Sequence, residues 1–212
     1  MLNQTQLEIE APLNCSRTIS GVVFRRALSG NPRFPPILAH ENKPPDRFRV
    51  EPLGKRHDRA GFSCGIEALD RYLQTQASQD VAKRVAVCFV LTPDGHTVAG
   101  YYTLSQYCVD LVKLPEEMAR KIPKYPQVPA TLLGRLAISQ NYRGKKLGEY
   151  LLLDALHHCW QQSTLVASAA VVVDAKNETA QRFYEHFEFI SLPGTPDRLF
   201  LPMRTIEDLF NV

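Results

Sequence analysis

The chain has 212 residues, of which 44% are hydrophobic, and it carries a formal net charge of +3 at pH 7. This length is enough for one domain with a sizeable core, and so mild a charge excludes a protein that coats nucleic acid through overall basicity. The chain has no run of eighteen apolar residues that could span a bilayer, and its N-terminus lacks the basic-then-apolar order of a signal peptide. We therefore expect a cytoplasmic protein that does not enter membranes.

The first 46 residues differ in composition from the rest of the chain. Proline at high density blocks both helix formation and sheet pairing, so such a segment is expected to be extended and mobile. The sequence therefore predicts a flexible N-terminal extension over residues 1–46 and a folded domain over residues 47–212. The prolines concerned are Pro32, Pro35, Pro36, Pro44 and Pro45.

The first half of the folded domain combines one amphipathic helix with several strands. The helix has an apolar face made of Ile66, Leu69, Tyr72, Leu73 and Ala77, a spacing typical of a helix that covers a sheet. A turn at residues 93–95 follows an apolar, valine-rich run and predicts an antiparallel hairpin or meander. The predicted strands are 48–53, 85–91, 97–104 and, after a break, 109–112.

Residues 115–129 are rich in proline and in positive charge, and they predict a short helix followed by a loop. The basic side chains here are Arg120, Lys121 and Lys124. A cluster of this kind is either a solvated surface or a contact for a polyanion, and the pattern alone leaves both readings open.

The second half of the domain predicts a mixed α/β arrangement. The run 165–173 is apolar throughout, as expected for a buried strand in a parallel pair. Asn177 can cap the helix that follows, on which Ala180, Phe183, Tyr184 and Phe187 share a face. The other predicted elements are a strand at 131–138, a helix at 145–161, and strands at 189–192 and 199–203.

A short glycine-bounded loop connects the strand at 131–138 to the long helix. Backbone N–H groups at a helix start are unpaired and carry the positive end of the helix dipole, so such a loop can receive a phosphate. The alternative is a tight turn with solvated lysines. The loop residues are Arg143, Gly144, Lys145, Lys146, Leu147 and Gly148.

Neither the cysteines nor the histidines predict a metal site. The five cysteines lack the two-residue spacing of zinc or redox motifs, and Cys88, Cys108 and Cys159 lie among apolar residues, where we expect small core side chains. The three histidines on the predicted helices, His157, His158 and His186, are interpreted as surface or packing residues. We therefore expect no metal.

Three segments in the second half together resemble the GNAT superfamily of N-acetyltransferases. They are the strand Gly134-Arg135-Leu136-Ala137-Ile138, the loop 143–148, and the later Asn177-x-x-Ala180-x-x-Phe183-Tyr184-Glu185. The resemblance implies a mixed central β-sheet, flanked by helices, with antiparallel N-terminal strands and a parallel pair at the acetyl-CoA site. Two positions depart from the family pattern, because Lys146 and Glu188 stand where glycine is common.

Further segments look like the GNAT toxins of type II toxin-antitoxin modules. The likeness runs through Phe62-Ser63-Cys64-Gly65, 100–105 and 125–137, and covers about residues 48 to 206. It implies a toxin that transfers acetyl from acetyl-CoA to the amino group of an aminoacyl-tRNA and so blocks translation. It also implies neutralisation by a ribbon-helix-helix antitoxin from an adjacent gene, and a homodimer whose basic surface, including Arg120, Lys121 and Lys124, contacts tRNA.

The resemblance also implies roles for individual residues. Tyr184 stands at the family's general-acid position and would protonate the departing thiolate, although a buried tyrosine on an apolar helix face can also be purely structural. The backbone of Leu136, Ala137 and Ile138 would bind the acetyl oxygen and the pantetheine amides, and the loop amides would bind the pyrophosphate. Asn177 and Phe183 are further candidate cofactor contacts.

No general base stands out in the sequence, and the proposed substrate offers a reason. A free α-amino group titrates near 8, so about a tenth of it is neutral at pH 7, far more than of a lysine side chain. Two other functions remain open: a GNAT enzyme that acetylates protein N-termini or small amines, and a catalytically degenerate GNAT module that only binds a partner.

Overall fold

The structure, a computed structural model, describes residues 48–114, 116–120 and 124–210; the predicted N-terminal extension lies outside them. In these ranges one mixed sheet of seven strands runs in the order β1-β2-β3-β4-β5-β7-β6. The strands are β1 (Arg49–Pro52), β2 (Val87–Thr92), β3 (Gly100–Asp110), β4 (Gln127–Ile138), β5 (Ala170–Asp174), β6 (Ile190–Leu192) and β7 (Thr195–Pro202). All neighbours pair antiparallel except β4 and β5, which are parallel. The predicted fold class is confirmed.

Helices cover both faces of this sheet. They are α1 (Glu67–Arg71), a π-helical turn (Tyr72–Gln76), α2 (Ala77–Ala82), α3 (Glu116–Ala119), α4 (Leu147–Ser163), α5 (Glu178–His186) and α6 (Met203–Phe210). The long helix α4 and the C-terminal α6 bury the apolar side chains of one face. On the other face, the segment from α1 to α2 covers one end of the sheet and the segment around Leu114 covers the other.

Several strand predictions were wrong in their limits, and β4 and β7 each begin four residues earlier than predicted. Strand β3 runs unbroken from Gly100 to Asp110 and pairs with β4 throughout, whereas a break after residue 104 was predicted. The apparent break reflects Gln106 and Cys108, whose side chains are exposed, so Cys108 is not the core residue that was expected. Hydrogen bonding to β4 continues beneath them, and polar side chains on an open face do not interrupt a strand.

Strand β5 is shorter than predicted, and the last helix was missed. Leu165 and Val166 are 79% and 54% exposed, and their amides donate to the carbonyl of Gln162 to close helix α4. The strand proper therefore begins only at Ala170. After β7 the chain enters α6, whose Ile206 and Leu209 are fully buried, although only a strand ending near Met203 was predicted.

Gly100 marks a close approach between β3, β4 and α4. A Cβ atom there would lie 2.6 Å from Ile138 Cδ1, 2.9 Å from Leu151 Cδ1 and 2.9 Å from the carbonyl oxygen of Ala137. We expect Gly100→Ala to lower the free energy of unfolding by about 2 kcal/mol, because a backbone atom cannot move aside as a side chain can. Urea denaturation measures this. Gly54→Ala is the control, since its nearest neighbours lie at 3.9 Å and stability should barely change.

Candidate active site

The centre of the sheet contains a cleft where the two parallel strands separate. Strands β4 and β5 pair only from Thr131↔Val171 to Leu133↔Val173. Strand β4 then continues to Ile138 along β3, while β5 ends at Asp174 and pairs with β7 on its other side. Beyond the last pair, one edge of β4 is therefore open.

A bulge at Gly134 determines which main-chain groups face this cleft. The β3–β4 register shifts there, because Leu104 pairs with Leu133 and Thr103 pairs with Arg135. Ser139 donates to the carbonyl of Ala99 at 2.9 Å, so by alternation Ala137 exchanges hydrogen bonds with Tyr101. The N–H and C=O groups of Leu136 and Ile138 consequently point away from β3, into the cleft, whereas those of Ala137 point to β3.

The glycine loop lies at the open end of β4. A Cβ atom on Gly148 would meet Ile138 Cγ1 at 3.8 Å, so the start of α4 borders the last residue of the strand. The amides of Gly144, Lys145, Leu147 and Gly148 donate to no other residue in the described ranges, as expected before the first turn of a helix closes. This arrangement is suited to binding an anion.

Side chains hold the loop against its surroundings. The guanidinium of Arg143 donates to the carbonyl of Cys64 and ties the loop to the turn before α1. The ammonium of Lys145 lies 5.3 Å from the centroid of the Tyr142 ring. Arg143 therefore has an anchoring contact of its own, in addition to any interaction with an anion.

The two positions that depart from the family's glycines both have left-handed backbones. Lys146 has φ of 54° and Glu188 has φ of 63°. Lys146 is the N-cap of α4 in this conformation and makes no side-chain capping hydrogen bond, and α4 accordingly starts at Leu147, later than the predicted 145. The backbone thus keeps the shape that glycine favours, and the side chains are accommodated with strain.

We expect Lys146→Gly to raise the free energy of unfolding by about 0.5–1 kcal/mol. Relief of left-handed strain, about 1–2 kcal/mol, exceeds the entropy that glycine adds to the unfolded chain. Lys145→Gly is the matched control, because Lys145 does not have positive φ, so the same change should be destabilising. Equal effects of the two changes in urea denaturation would contradict the explanation.

Tyr184 lies on α5, directly after β5. Asn177 caps this helix as predicted, since its Oδ1 accepts from the amide of Ala180 at 2.9 Å. The Tyr184 ring is only 8% exposed and packs against Phe183 and Phe189, with ring centroids 5.3 Å apart in each case. Burial raises the pKa of Tyr184 well above its usual value, so the hydroxyl stays protonated at neutral pH.

The Tyr184 hydroxyl has no hydrogen-bond partner among the described residues. No side-chain polar atom in those ranges is fully buried without a partner, so this hydroxyl must retain contact with solvent. Tyr184 belongs to the same packed cluster as Leu147 and Tyr150 at the start of α4. Tyr184 therefore combines a place in the core cluster that also contains the start of α4 with a protonated hydroxyl that lacks a partner in the described ranges.

The described residues of the predicted basic cluster, Arg120 and Lys124, do not form a joint site with the glycine loop or with Tyr184. Arg120 forms an ion pair with Glu116 at 2.5 Å, and both side chains are more than 70% exposed. Lys124 is exposed, and Lys121 lies outside the described residues. Neither Arg120 nor Lys124 bonds to the glycine loop or to Tyr184 in the part of the chain that the structure describes.

Two polar networks near the cleft were not predicted. Arg198 on β7 donates to both carboxylate oxygens of Asp174, at 2.6 and 3.1 Å, and to the hydroxyl of Tyr107. The hydrogen bond from Arg198 lowers the pKa of Asp174. Because Asp174 and Arg198 meet only through the β5–β7 register, no spacing in the sequence could have paired them.

The second network joins β3 to α4. The Tyr102 hydroxyl donates to Asp154 Oδ2 at 2.6 Å and lies 3.0 Å from His158 Nδ1. Burial opposes charging of His158, but hydrogen bonding to Asp154 raises its pKa overall. The predicted packing role of His158 therefore includes a polar contact that fixes α4, and with it the glycine loop, on the sheet.

Within the described ranges, no three histidine, cysteine or acidic side chains are grouped so as to hold a metal ion. None of the helices in those ranges combines the length and apolar character that crossing a bilayer requires.

Comparison with known proteins relates this chain to acetyltransferases. Residues 60–189 match the acetyltransferase (GNAT) family. A tRNA-acetylating toxin of Mycobacterium tuberculosis is 35% identical over 147 residues, which are 69% of this chain and 87% of the toxin.

Solved structures of toxins are also similar. AtaT complexed with acetyl-methionyl-tRNAfMet matches with a TM-score of 0.72 and 34% identity, over 77% of this chain and 99% of that one. A tyrosine-to-phenylalanine mutant of AtaT, bound to the C-terminus of the antitoxin AtaR and to acetyl-CoA, matches with a TM-score of 0.68 and 30% identity. That match covers 79% of this chain and all of the other.

Proposed function

This chain belongs to the GNAT family of acetyltransferases, and on that basis we propose that it is a toxin that acetylates the α-amino group of an aminoacyl-tRNA. The observation that carries the proposal is the likeness, over most of both chains, to AtaT complexed with an acetylated aminoacyl-tRNA. Acetylation of that amine would prevent its use in peptide-bond formation and so block translation.

The cleft fits the acetyl donor, acetyl-CoA. When bound, acetyl-CoA supplies the thioester carbonyl that the amine attacks. The outward-facing N–H and C=O groups of Leu136 and Ile138 can pair with the pantetheine amides and can donate to the developing oxyanion. The amides of Gly144, Lys145, Leu147 and Gly148 are free to bind the pyrophosphate.

Tyr184 is suited to donate the proton that the leaving thiolate needs. Its hydroxyl is protonated at neutral pH because burial raises its pKa, and it has no competing partner in the described residues. Phe183 and Phe189 pack against the ring. Asn177 contributes by capping α5, which fixes where Tyr184 stands on the helix.

The substrate amine needs little help from a base. An α-amino group has an ordinary pKa near 8, so a useful fraction is already neutral at cellular pH. This agrees with a site whose candidate catalytic side chain, Tyr184, is protonated at neutral pH and can act as an acid but not as a base. A lysine side chain would require a strong base in the cleft.

The likeness to AtaT bound by AtaR supports an antitoxin as the partner. We propose that the antitoxin is a ribbon-helix-helix protein encoded beside this gene, and that the toxin is a cytoplasmic homodimer. Sequencing the neighbouring reading frame tests the antitoxin type, and light scattering on the purified chain tests the oligomeric state.

Incubation of the purified full chain with labelled acetyl-CoA and a set of aminoacyl-tRNAs tests the proposed activity. We expect label on the amino acid of one or several of them. Label on peptide N-termini or small amines alone would assign this enzyme to the alternative substrate class. Calorimetric binding of acetyl-CoA without transfer to any amine would identify a degenerate binding module.

A further inference from the structure

Within the described residues, the face of the sheet opposite α4 has one narrow open strip, at Gly134. The segment from α1 to α2 covers one end of this face and the segment around Leu114 covers the other. Between them, Gly134 is exposed although it lies within a central strand of the sheet. A Cβ atom on Gly134 would meet Thr103 Oγ1 at 3.3 Å and Leu132 at 3.9 Å, so its open side faces this strip.

Arg135 lies at the edge of this strip with its guanidinium already oriented. The guanidinium carbon is 3.5 Å from the centroid of the Tyr72 ring. Tyr72 in turn belongs to the π-helical turn, a rare geometry that often marks functional positions, and its hydroxyl donates to Asp80 at 2.9 Å. The ring is therefore fixed at both ends and holds the guanidinium flat.

The charge of Arg135 has no counter-ion among the described residues. The side chain is half-buried, yet it makes no ion pair or hydrogen bond with any described residue. Arg198, on the same face, contrasts with it because its donors are taken by Asp174 and Tyr107. A cation–π contact engages the face of the guanidinium and leaves the N–H donors at its edge available to a ligand.

The coenzyme and the acceptor are expected to approach the cleft from opposite faces of the sheet. The glycine loop begins α4, which packs on the opposite face, so the coenzyme's pyrophosphate lies on that side. The acceptor amine must then reach the cleft from the open strip. Arg135 directly precedes Leu136, whose main chain faces the cleft, so a group bound by Arg135 lies next to the acceptor amine.

We propose that Arg135 binds the phosphodiester immediately preceding the aminoacylated 3′-terminal nucleotide of the acceptor. This inference rests on the proposed function, because only a nucleic-acid acceptor places an anion so near the reactive amine. A guanidinium with free edge donors matches two phosphate oxygens bidentately. Arg135 thereby distinguishes an aminoacyl-tRNA end from a peptide N-terminus or a free amine.

Two acceptors, only one of which carries the phosphodiester, test this role. One is adenosine with an amide-linked 3′-aminoacyl group, and the other is the same compound extended at its 5′ side by two cytidylates. We expect Arg135→Gln to raise KM for the extended acceptor by about tenfold to a hundredfold while kcat and the KM for the short acceptor stay unchanged. A plot of the logarithm of the binding constant for the extended acceptor against the logarithm of the salt concentration should also become less steep, by about 0.7 in slope.

Arg49→Gln is the control, since Arg49 lies on the edge strand β1 and pairs with Glu51. Arg135→Lys keeps the charge without the planar fork and should be intermediate. If Arg135→Gln leaves the ratio of the two kcat/KM values as it is in the wild type, whether both values stay the same or fall equally, Arg135 does not bind the phosphodiester. If the wild-type chain acetylates neither acceptor and no aminoacyl-tRNA, it is the proposed function that is wrong.

Discussion

A Tyr184→Phe variant should bind acetyl-CoA as the wild type does and transfer acetyl about 100- to 1,000-fold more slowly. The change removes the hydroxyl that we propose protonates the leaving thiolate, and general acids contribute about this much. The Tyr184 hydroxyl has no partner among the described residues, so its removal should not lower the free energy of unfolding. Calorimetry, single-turnover kinetics and urea denaturation on one preparation measure the three quantities.

Tyr101→Phe is the matched control for this experiment. Tyr101 is also buried, but its hydroxyl donates to the carbonyl of Leu69 at 2.8 Å, on the other face of the sheet. Its loss should lower stability by about 1 kcal/mol and leave kcat unchanged. The two variants therefore have opposite signatures. A Tyr184→Phe variant with normal kcat would show that the ring has only a packing role.

The pH dependence of the rate should reflect the amine and not Tyr184. Because burial raises the pKa of Tyr184 well above its usual value, the hydroxyl is fully protonated at neutral pH and remains so in mild alkali. The rate should rise as the substrate amine loses its proton near pH 8, and then level off. A fall in rate between pH 8 and 9 would contradict Tyr184 as the acid.

The second large effect is expected at Gly148, where Asp should reduce acetyl-CoA affinity by about 100-fold. An aspartate in the first turn of α4 places a negative charge where the pyrophosphate would bind, and like charges a few ångströms apart repel by several kcal/mol near a protein surface. The free energy of unfolding, by contrast, should rise. Gly148 is helical and its Cβ position is free of clashes, so Asp should stabilise α4 by about 1 kcal/mol.

Gly148→Ala separates the charge from the side chain. Its Cβ would meet only Ile138 Cγ1 at 3.8 Å, an ordinary contact, so affinity should stay within about threefold of wild type. Calorimetric titration with acetyl-CoA, alongside urea denaturation, compares the three proteins. If Gly148→Asp binds acetyl-CoA normally while folded, the loop amides do not bind the pyrophosphate.

The fold was predictable because its signals are local. Period-two strands, the 3.6-residue faces of the helices and the loop before α4 all depend on residues close in sequence. The limits that were predicted wrongly depend on context. Cys108 is exposed on β3 although its neighbours in sequence are apolar, and Leu165 and Val166 close a helix although they look like strand residues.

The residues expected around the cleft came from motif likeness, whereas their orientation depends on features that no pattern encodes. The bulge at Gly134 sets which of Leu136, Ala137 and Ile138 face the cleft. The contact between Arg135 and Tyr72 depends on the π-helical turn that positions the Tyr72 ring, which the sequence does not predict. The left-handed backbones of Lys146 and Glu188 have no signal in the residues themselves, and only the family's glycines at these two positions point to them.

The short parallel ladder leaves part of β4 without a neighbouring strand on one side. Strands β4 and β5 pair over three residues, all at one end of the seam. Beyond these pairs, the outward-facing N–H and C=O groups of β4 are available to a ligand as they would be to another strand. A ligand that carries amide groups would therefore take the place that β5 leaves open and complete the hydrogen bonding of the sheet.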